Sequence, residues 1–400
     1  MPSRPNEPGV PVPGGGVPLS VPNISGNEWT YVRECLETGW VSSAGPYVDR
    51  FERDVADAVG VRHAVAAASG TAGLHIALLV SGVVPDVEVI LPSLTFIAPA
   101  NAVRYLGAWP TFVDVDREYA QIDPDQVEAF LRTDCRRSDG AVWNTHTGRR
   151  VAAILPVDLL GHPCDLDRIL DLAREFGLVV VEDATESLGA QYRGRMVGSR
   201  GPVTAFSFNG NKLLTTGGGG VIVTDDATMA ERARYFTTQA KDDPLEFVHR
   251  NVGYNYRLPN VAAAIGCAQL EQLATFAAAK RRIARRYEEA LHAVPGVTAM
   301  RNAPWALSVF WMYTVRIDAR TCGWTSRDLL RVLEADGIQS RPLWQPLHHS
   351  PAHERSFSRD CPVAEDWYRE ALSLPCSTGL TDDQQARVIA AVLEHSRVAH

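Results

Sequence analysis

The feature that most constrains the fold is an alternation of short apolar segments with amphipathic segments between residues 64 and 181. Continuous apolar strands separated by amphipathic helices are typical of a mostly parallel sheet with helices on both faces. The predicted strands are 64–68, 87–91, 111–115, 151–156 and 178–181, and the predicted helices are 70–80, 98–105, 124–131 and 165–176. Residues 136–150 are predicted to be a polar loop, and 204–208 and 220–224 a hairpin-like pair of strands. The chain is therefore predicted to be an α/β protein.

The segment before this region has two parts. Residues 1–16 are rich in Pro and Gly and are predicted to be a disordered tail, because such a composition buries too little apolar surface. Ser25, with Glu28 three residues further on, is a capping pattern that predicts the start of a helix, and Gly39 predicts its end. This helix is predicted to belong to a large domain over residues 17–265.

The C-terminal part has a different character. Residues 262–290 are rich in Ala, Arg and Glu and predict one long helix that connects the large domain to a second lobe. The elements predicted beyond it are strands 311–317 and 338–343, a helix over 326–335 and a final helix from Thr381. Residues 266–400 are therefore predicted to form the connecting helix and a smaller α+β domain.

Composition and charge argue against several classes of function. A formal net charge of −8 and a pI near 5.8 argue against a nucleic-acid partner, which would need clustered Lys and Arg. The seven cysteines are scattered without a C-x-x-C spacing, so they predict neither a disulfide framework nor a metal site. No apolar run reaches the roughly 20 residues of a membrane span. We expect a cytoplasmic protein that binds neither nucleic acid nor membrane.

The stretch from Phe206 to Gly220 places Lys212 in an apolar segment rich in turn-forming residues. A lysine that attacks carbonyl groups needs a lowered ammonium pKa, and removal from water lowers it. Taken alone, Lys212 is better interpreted as a surface residue, because lysine is mostly exposed. Its role therefore depends on the rest of the chain.

Two further motifs follow predicted strands. Asp183 ends the strand 178–181, at the sheet edge where α/β proteins bind ligands, and could hold a cationic group; a helix-capping Asp is an equally good interpretation. The turn Ser69-Gly70-Thr71-Ala72 could cradle a phosphate at a helix N-terminus, although an ordinary strand-to-helix turn is the more common explanation. Ser207 could add a second hydroxyl.

Together these motifs match the requirements of pyridoxal 5'-phosphate. A lysine forms the covalent link to the cofactor, an aspartate keeps the ring nitrogen protonated, and a turn binds the phosphate. Phe96 follows another predicted strand and could stack on the ring, or it could be a simple core residue. The three motifs on one sheet are much less probable by chance than any one of them.

These motifs resemble the DegT/DnrJ/EryC1/StrS family of sugar aminotransferases, from about residue 18 to the end of the chain. The segments that carry the resemblance are Ser69–Ala72, Thr95–Ala102, Glu182–Gly189, Ser207–Lys212 and Gly253–Pro259. The motif Phe-Asn-Gly-Asn-Lys with its Thr-Thr-Gly-Gly-Gly-Gly tail is similar to the branch that aminates C4 of UDP-linked 4-keto-6-deoxy-N-acetylhexosamines, the legionaminic-acid and bacillosamine type.

The resemblance implies fold type I, that of aspartate aminotransferase, with a mostly parallel seven-stranded sheet in the large domain. It also implies a homodimer with shared active sites, Lys212 as the Schiff-base lysine and Asp183 as the partner of the pyridinium nitrogen. The other implied cofactor contacts are Gly70, Thr71, Ala72 and Ser207 at the phosphate, Phe96 and Glu186 at the ring, and Asn255 from the neighbouring subunit. Glu186 departs from the family pattern, which often has Gln or His there.

The reaction implied by the resemblance is transamination of a nucleotide-linked keto sugar with L-glutamate as amino donor, giving an amino sugar nucleotide and 2-oxoglutarate. Candidate substrate contacts are Trp40, Ser42, Lys241 and Arg341, for which ordinary structural roles are about as probable. Arginine suits a carboxylate or a pyrophosphate because its planar fork engages two oxygens.

Three other functions stay open. The first is amination of the sugar at C3. The second is a sugar dehydratase of the same fold; such enzymes have a histidine at the position where this chain has Lys212. The third is a regulatory protein that binds the cofactor without catalysing a reaction. It would need a segment that binds a partner or DNA, and the short Pro/Gly tail is the only such segment seen in the sequence.

Overall fold

The computed structural model describes residues 15–243 and 245–398, with side chains to residue 396. The α-helices of this part are α1 (Glu28–Thr38), α2 (Pro46–Val59), α3 (Gly70–Val80), α4 (Ala98–Tyr105), α5 (Pro124–Ala129), α6 (Leu166–Phe176), α7 (Ala227–Thr237), α8 (Asn260–Leu270), α9 (Leu273–Leu291), α10 (Ala319–Cys322), α11 (Ser326–Ala335), α12 (Pro362–Glu370) and α13 (Asp382–Val398). Short helical turns lie at Phe130–Asp134, Leu159–Gly161, Leu347–His349 and Pro351–His353. Most of the predicted tail, residues 1–14, lies outside the described residues.

The strands of the same part are β1 (His63–Ala67), β2 (Glu88–Pro92), β3 (Trp109–Val113), β4 (Cys135–Ser138), β5 (Ala141–Asn144), β6 (Arg150–Ile154), β7 (Val179–Val180), β8 (Glu182–Asp183), β9 (Gln191–Tyr192), β10 (Arg195–Met196), β11 (Thr204–Ser207), β12 (Gly220–Thr224), β13 (Val297–Ala299), β14 (Ala306–Leu307), β15 (Tyr313–Ile317), β16 (Arg341–Pro342), β17 (Phe357–Ser358) and β18 (Ala371–Leu374).

The central sheet is mostly parallel, as predicted. β7 and β8 are two halves of one strand: β7 pairs with β6, and β8 pairs with β11. Across the sheet the order is β1, β12, β11, β8 with β7, β6, β2, β3 and the two-residue β17, with β12 antiparallel to its neighbours. Without β17 and the β4–β5 hairpin, this is the predicted seven-stranded sheet. The carboxyl ends of the other strands therefore meet at one edge, where α/β sheets bind their ligands.

The predicted start of the first helix is wrong. α1 begins at Glu28 with Asn27 at its N-cap, and Ser25 does not cap it. The reason is tertiary: the buried Glu28 carboxylate accepts hydrogen bonds from the Gly26 N–H and from the Gln269 amide of α8. The predicted end at Gly39 is confirmed, since this residue has the left-handed φ of +76° that favours glycine.

The predicted polar loop over 136–150 is also wrong, because β4 and β5 form a hairpin there that extends the edge of the sheet beside β6. Its turn residues Asp139 and Gly140 both have positive φ, and Asp-Gly between two strands is a common hairpin signal. β4 is the edge strand, and its exposed Arg136 and Arg137 suit that position, whereas the mostly apolar β5 lies between β4 and β6.

The predicted long helix over 262–290 is broken into α8 and α9, which are bent by 61°. α8 packs on α1 and α2, and Glu271 at the break binds the Tyr31 hydroxyl and the Arg50 guanidinium at 2.6 and 2.9 Å. α9 instead packs against β13 and α13. The helix breaks because its two halves bury their apolar faces against different parts of the protein.

The C-terminal part contains a second sheet, ordered β13, β15, β18 and β16. The predicted strand 338–343 is reduced to β16, since Ile338 pairs instead with Val17 from the N-terminal segment. The predicted domain boundary at residue 266 falls inside α8.

Among the described residues, no single helix has the length and apolar composition of a membrane span; α8 and α9 meet that criterion only when taken together as a bent pair.

Candidate active site

A cavity of about 360 Å³ opens at the carboxyl edge of the central sheet. Its walls come from the turns that follow β1, β2, β8 and β11 and from residues of the C-terminal part. Of the predicted cofactor and substrate residues, seven line it: Gly70, Thr71, Phe96, Glu186, Ser207, Lys212 and Arg341. The volume lies in the range of small-molecule sites in proteins.

Lys212 points into this cavity. The tight turn after β11, in which the Lys212 N–H donates to the Asn209 carbonyl at 3.0 Å, brings it there. Its Nζ lies 3.4 Å from Glu186 Oε1 and 3.8 Å from the centre of the Trp311 ring, and the side chain is 14% exposed. The chain has only two other lysines. Lys241 is exposed on a surface loop, and Lys280 is buried and donates to the Trp311 carbonyl. Lys212 is therefore the one lysine of the chain that lies at the cavity.

Glu186 is the acidic partner of Lys212. Its other carboxylate oxygen accepts the Leu160 N–H at 2.7 Å, and Leu160 adopts a left-handed φ of +61° to present that N–H. A leucine in this conformation is strained by about 1–3 kcal/mol, which is typical of functional sites. Burial raises the pKa of Glu186, and the neighbouring Lys212 ammonium opposes that rise. The predicted departure at this position thus places a carboxyl group beside Lys212.

Asp183 ends β8 and lies under the cavity, with only 1% of its surface exposed. Its Oδ1 accepts the Thr185 N–H at 3.0 Å. Burial raises the pKa of Asp183, whereas the bond from Thr185 and the Lys212 charge lower it. A buried carboxylate in this position is stabilised by a nearby positive charge.

Two further buried acids near Asp183 were not predicted as site residues. Glu182 accepts from the Thr204 hydroxyl at 2.6 Å, and Asp158 accepts from the Ser187 hydroxyl at 2.8 Å. Burial raises the pKa of Glu182 to about 7 and that of Asp158 well above its usual range. Of these three acids, Asp183 is the one whose pKa the Lys212 charge lowers.

One side of the cavity, the turn side, consists of Ser69, Gly70, Thr71 and Ser207. Ser69 caps α3 by accepting the Ala72 N–H at 3.1 Å. A Cβ on Gly70 would lie 2.7 Å from the Ser207 Cβ, so only glycine allows β1 and β11 to end this close together. The first-turn N–H groups of α3 have no carbonyl partner within the helix, so they can bind an anion together with the hydroxyl groups.

The opposite side, the aromatic side, consists of Phe96, Trp311, Trp344 and Arg341. The two indole rings are parallel, with centroids 6.5 Å apart, and Trp344 lies 6.0 Å from Phe96. Trp311 is fixed by a hydrogen bond from its Nε1 to the Asn211 carbonyl at 2.7 Å. The sequence analysis did not identify either tryptophan as a site residue. Trp344 stands in the same segment as Arg341, which is the only sequence signal for it.

Besides Asp183, five of the predicted site residues do not line the cavity. Ala72 lies in the first turn of α3, where its N–H binds Ser69. Trp40 and Ser42 lie after α1, where their carbonyls accept from Asn260, and Asn255 and Lys241 lie on the exposed segment 238–256. These four are surface residues of the single chain.

The donor set of the cavity fits pyridoxal phosphate. Lys212 supplies an amine, Asp183 a buried carboxylate under the cavity, and the turn side an anion cradle. In addition, Asn211 Oδ1 is a buried oxygen on the cavity wall with no hydrogen-bond partner among the described residues, which a bound molecule would provide.

Comparison with known proteins identifies the family. Residues 22–393 match the model of the DegT/DnrJ/EryC1/StrS aminotransferase family. The chain is 41% identical over 378 residues to GDP-perosamine synthase of Caulobacter vibrioides, covering 94% of this chain and 97% of the relative.

Solved structures are similar over nearly the whole chain. DesI, determined in the presence of its TDP-sugar product, has a TM-score of 0.86 at 31% identity and covers 96% of this chain, which spans 94% of that structure. DesV of S. venezuelae, determined in complex with a ketimine intermediate, has a TM-score of 0.83 at 33% identity, with coverages of 92% and 94%. The predicted type I fold and pyridoxal phosphate as cofactor are thereby confirmed. The chain belongs to the DegT/DnrJ/EryC1/StrS aminotransferase family and is a pyridoxal phosphate-dependent sugar-nucleotide aminotransferase.

Proposed function

We propose that this enzyme transfers the amino group of L-glutamate to the C4 keto group of a nucleotide-linked 4-keto-6-deoxy sugar. The observation that carries the proposal is that Lys212 and the turn side line one cavity, while the buried Asp183 lies close enough for the Lys212 charge to lower its pKa. The products are a 4-amino sugar nucleotide and 2-oxoglutarate. In this proposal residues 17–265 form the cofactor-binding domain and residues 266–400 the connecting helix and the smaller domain.

Lys212 is the catalytic residue of the proposal. When bound, pyridoxal phosphate supplies a reactive carbonyl carbon and an electron-withdrawing ring. The Lys212 amine would carry the proton between the α-carbon of the amino donor and the reactive carbon that the cofactor supplies, and Trp311, whose ring centre lies 3.8 Å from Nζ, holds the amine in place. Asp183 holds the ring nitrogen as a cation, and Glu186 keeps Lys212 oriented while it carries the proton.

The turn side and Phe96 hold the cofactor in place. Gly70 and Thr71 at the start of α3, with Ser207, bind the phosphate through N–H and hydroxyl groups, and Ala72 joins them when its N–H turns from the Ser69 hydroxyl to the phosphate. Phe96 is half exposed at the cavity, where its ring can cover one face of the cofactor. These contacts orient the ring and exclude water from one side of it.

The nucleotide is the least constrained part of the proposal. A GDP-linked sugar is the first candidate, because the Caulobacter relative is named GDP-perosamine synthase and is 41% identical. A UDP-linked 4-keto-6-deoxy-N-acetylhexosamine is the second candidate, which the Asn-Gly-Asn-Lys motif and the glycine run favour. In either case Arg341, at the cavity, suits the diphosphate.

We also propose that the enzyme is a homodimer with shared active sites. Trp29, Leu36 and Trp40 in the α1 region and Leu245 and Val252 in the 238–256 segment are large apolar side chains that are exposed in the single chain. Such patches mark protein interfaces. The residues that follow the two segments are in contact, since Arg257 Nε donates to the Ser43 carbonyl at 2.8 Å.

In this dimer Asn255 reaches the phosphate of the neighbouring subunit, and Trp40, Ser42 and Lys241 contact its substrate. All four are exposed and outside their own cavity, as residues that act in another subunit must be.

The substrate is tested by incubating the purified enzyme with L-glutamate and a small panel of GDP- and UDP-linked 4-keto-6-deoxy sugars, with products resolved by NMR. We expect an amine at C4 of one of them and an equal amount of 2-oxoglutarate. Amination at C3, or loss of a hydroxyl group without amination, would contradict the proposal. Lys212→Ala serves as the inactive control.

The shared site is tested by mixing two variants, Lys212→Ala and Asn255→Ala, each of low activity. Random exchange of subunits in a symmetric dimer restores one intact site in each mixed dimer, or about a quarter of the wild-type activity. Activity that stays at the mean of the two variants would show that Asn255 acts within its own subunit or not at all.

A further inference from the structure

A cluster of two imidazoles and one carboxylate lies apart from the residues that line the active-site cavity. His348 and His349 belong to the short helical turn Leu347–His349, and Glu365 belongs to α12. The Nε2 atoms of His348 and His349 lie 3.3 and 3.0 Å from the same atom, Glu365 Oε1. The three candidate ligand atoms all lie within 4.8 Å of one another. Residues distant in sequence are thus brought to one point by the fold.

The spacing of these atoms suits a metal ion. In a tetrahedral site with Zn–N and Zn–O bonds of about 2.0–2.2 Å, two ligand atoms lie about 3.3 Å apart. The two nitrogen-to-oxygen distances in the cluster are close to that value. Two histidines and one glutamate also form a ligand set known for zinc, which leaves a fourth position for water.

A second contact holds the His348 ring in place. Its Nδ1 lies 2.5 Å from the hydroxyl oxygen of Ser93, which is fully buried just after β2. Histidines that bind metals usually have their other ring nitrogen fixed by such a partner. A hydroxyl can either donate or accept, so Ser93 suits the tautomer in which Nδ1 carries the proton and Nε2 is free to bind.

The surroundings of the cluster leave room for a water molecule at the fourth coordination position of the metal. His349 and Glu365 are about half exposed and line a second cavity of about 470 Å³. Arg327 and Arg369 line it too, but Arg327 donates to the Tyr368 carbonyl and Arg369 pairs with Asp366, so both cations are already engaged. The Asp114 carboxylate, which accepts from the Val363 and Ala364 N–H groups at the start of α12, adds negative charge nearby.

We propose that His348, His349 and Glu365 form a binding site for one divalent transition-metal ion of the zinc type. The ion would link the 347–349 turn to α12. Through Ser93 it would also stiffen the segment that leads from β2 to Phe96 at the active-site cavity. The cysteine pattern predicted no metal site in this chain, and the proposed ligands include no cysteine.

The test is isothermal titration of Zn²⁺ into the dialysed, cofactor-loaded enzyme. We expect one saturable site per chain, and His349→Ala and Glu365→Gln should each weaken binding about tenfold or more. The matched control is His146→Ala, because His146 pairs with a single carboxylate, Asp134, at 3.0 Å, is similarly exposed and has no third ligand. This variant should bind zinc as the wild type does.

Co²⁺ gives an independent readout. A tetrahedral Co²⁺ site absorbs strongly in the visible range, so we expect bands in the wild type and in His146→Ala but not in Glu365→Gln. Circular dichroism checks that the variants are folded, which their half-exposed positions favour. The proposal is overturned if the wild type shows no saturable zinc binding, or if binding survives both substitutions.

Discussion

The two sides of the active-site cavity are built in different ways. The turn side is made by residues that directly follow β1 and β11, and its geometry comes from one helix N-cap and one glycine that allows close packing. Apart from Phe96, which follows β2, the aromatic side is made by Trp311, Trp344 and Arg341 of the C-terminal part, which reach the cavity only because that part packs against the central sheet. The turn side therefore depends on local backbone conformation, and the aromatic side depends on long-range packing.

Because of this difference, the turn side mainly determines cofactor binding, and the aromatic side mainly determines the position of Lys212. The turn side can hold an anion whether or not the C-terminal part is tightly packed, because its donors belong to α3. Lys212 depends on both sides, since its backbone follows β11 and its ammonium contacts Trp311. Substitutions on the two sides should accordingly differ in what they damage.

The largest loss of activity is expected for a substitution of Lys212, which depends on both sides of the cavity. Lys212→Ala should lower transaminase activity by about 10³-fold or more, because it removes the amine that carries the proton. Mass spectrometry after borohydride reduction should find the cofactor attached to Lys212 in the wild type and to no residue in the variant. Attachment to Lys241 or Lys280 would contradict the role of Lys212.

The next largest loss of activity is expected for a substitution of the buried Asp183. Asp183→Asn keeps an oxygen for the Thr185 N–H but removes the charge, so we expect a loss of about 10²-fold in kcat, equivalent to roughly 3 kcal/mol. The cofactor should remain attached to Lys212. A variant with unchanged kcat would show that the charge of Asp183 has no part in the reaction.

The turn side is tested by a pair of glycine substitutions. A Cβ at Gly70 would meet Ser207 at 2.7 Å, whereas a Cβ at Gly210, which does not line the cavity, has no atom within 4 Å. Gly70→Ala should lower the free energy of unfolding by about 1–3 kcal/mol and weaken cofactor binding, and Gly210→Ala should do neither. Thermal melts and cofactor titration measure both effects. Equal effects in the two variants would contradict the close packing of the turn side.

The smallest effect is expected on the aromatic side. Trp311→Phe removes the hydrogen bond to the Asn211 carbonyl but keeps a ring under Lys212, so we expect a loss of about 1 kcal/mol of stability and a modest fall in kcat with unchanged cofactor affinity. Trp143→Phe, which loses a similar hydrogen bond from Nε1 to the Ser138 carbonyl away from the cavity, is the control and should leave kcat unchanged. Weaker cofactor binding in Trp311→Phe would mean that the two sides are not independent.

Some elements could be predicted closely from the sequence. The bounds of α3, α4 and α11 agree with prediction, because apolar periodicity and capping residues act within a few residues of one another. The β4–β5 hairpin was missed although Asp139-Gly140 is a hairpin signal, since β4 contains Arg136 and Arg137 and the apolar part of β5 is only three residues long.

Errors arose where tertiary contacts outweigh local preference. The α8–α9 helix has no Pro at its break, and the bend comes from the different partners of its two halves. Similarly, Glu28 does not complete a cap with Ser25, because Gln269 from α8 binds its carboxylate. Neither partner is close in sequence, so neither outcome could be read from a local pattern.

The sequence by itself determined the class of this enzyme. Lys212, Asp183 and the Ser69–Ala72 turn each follow a predicted strand, and the carboxyl ends of parallel strands share one edge, so their meeting follows from strand order and local chemistry. Only the tertiary structure decided what surrounds Lys212: the Glu186 carboxylate held by the strained Leu160, and the Trp311 ring from the C-terminal part. The physical reason is that turns and helix caps are set by neighbouring residues, whereas these contacts exist only after distant segments pack together.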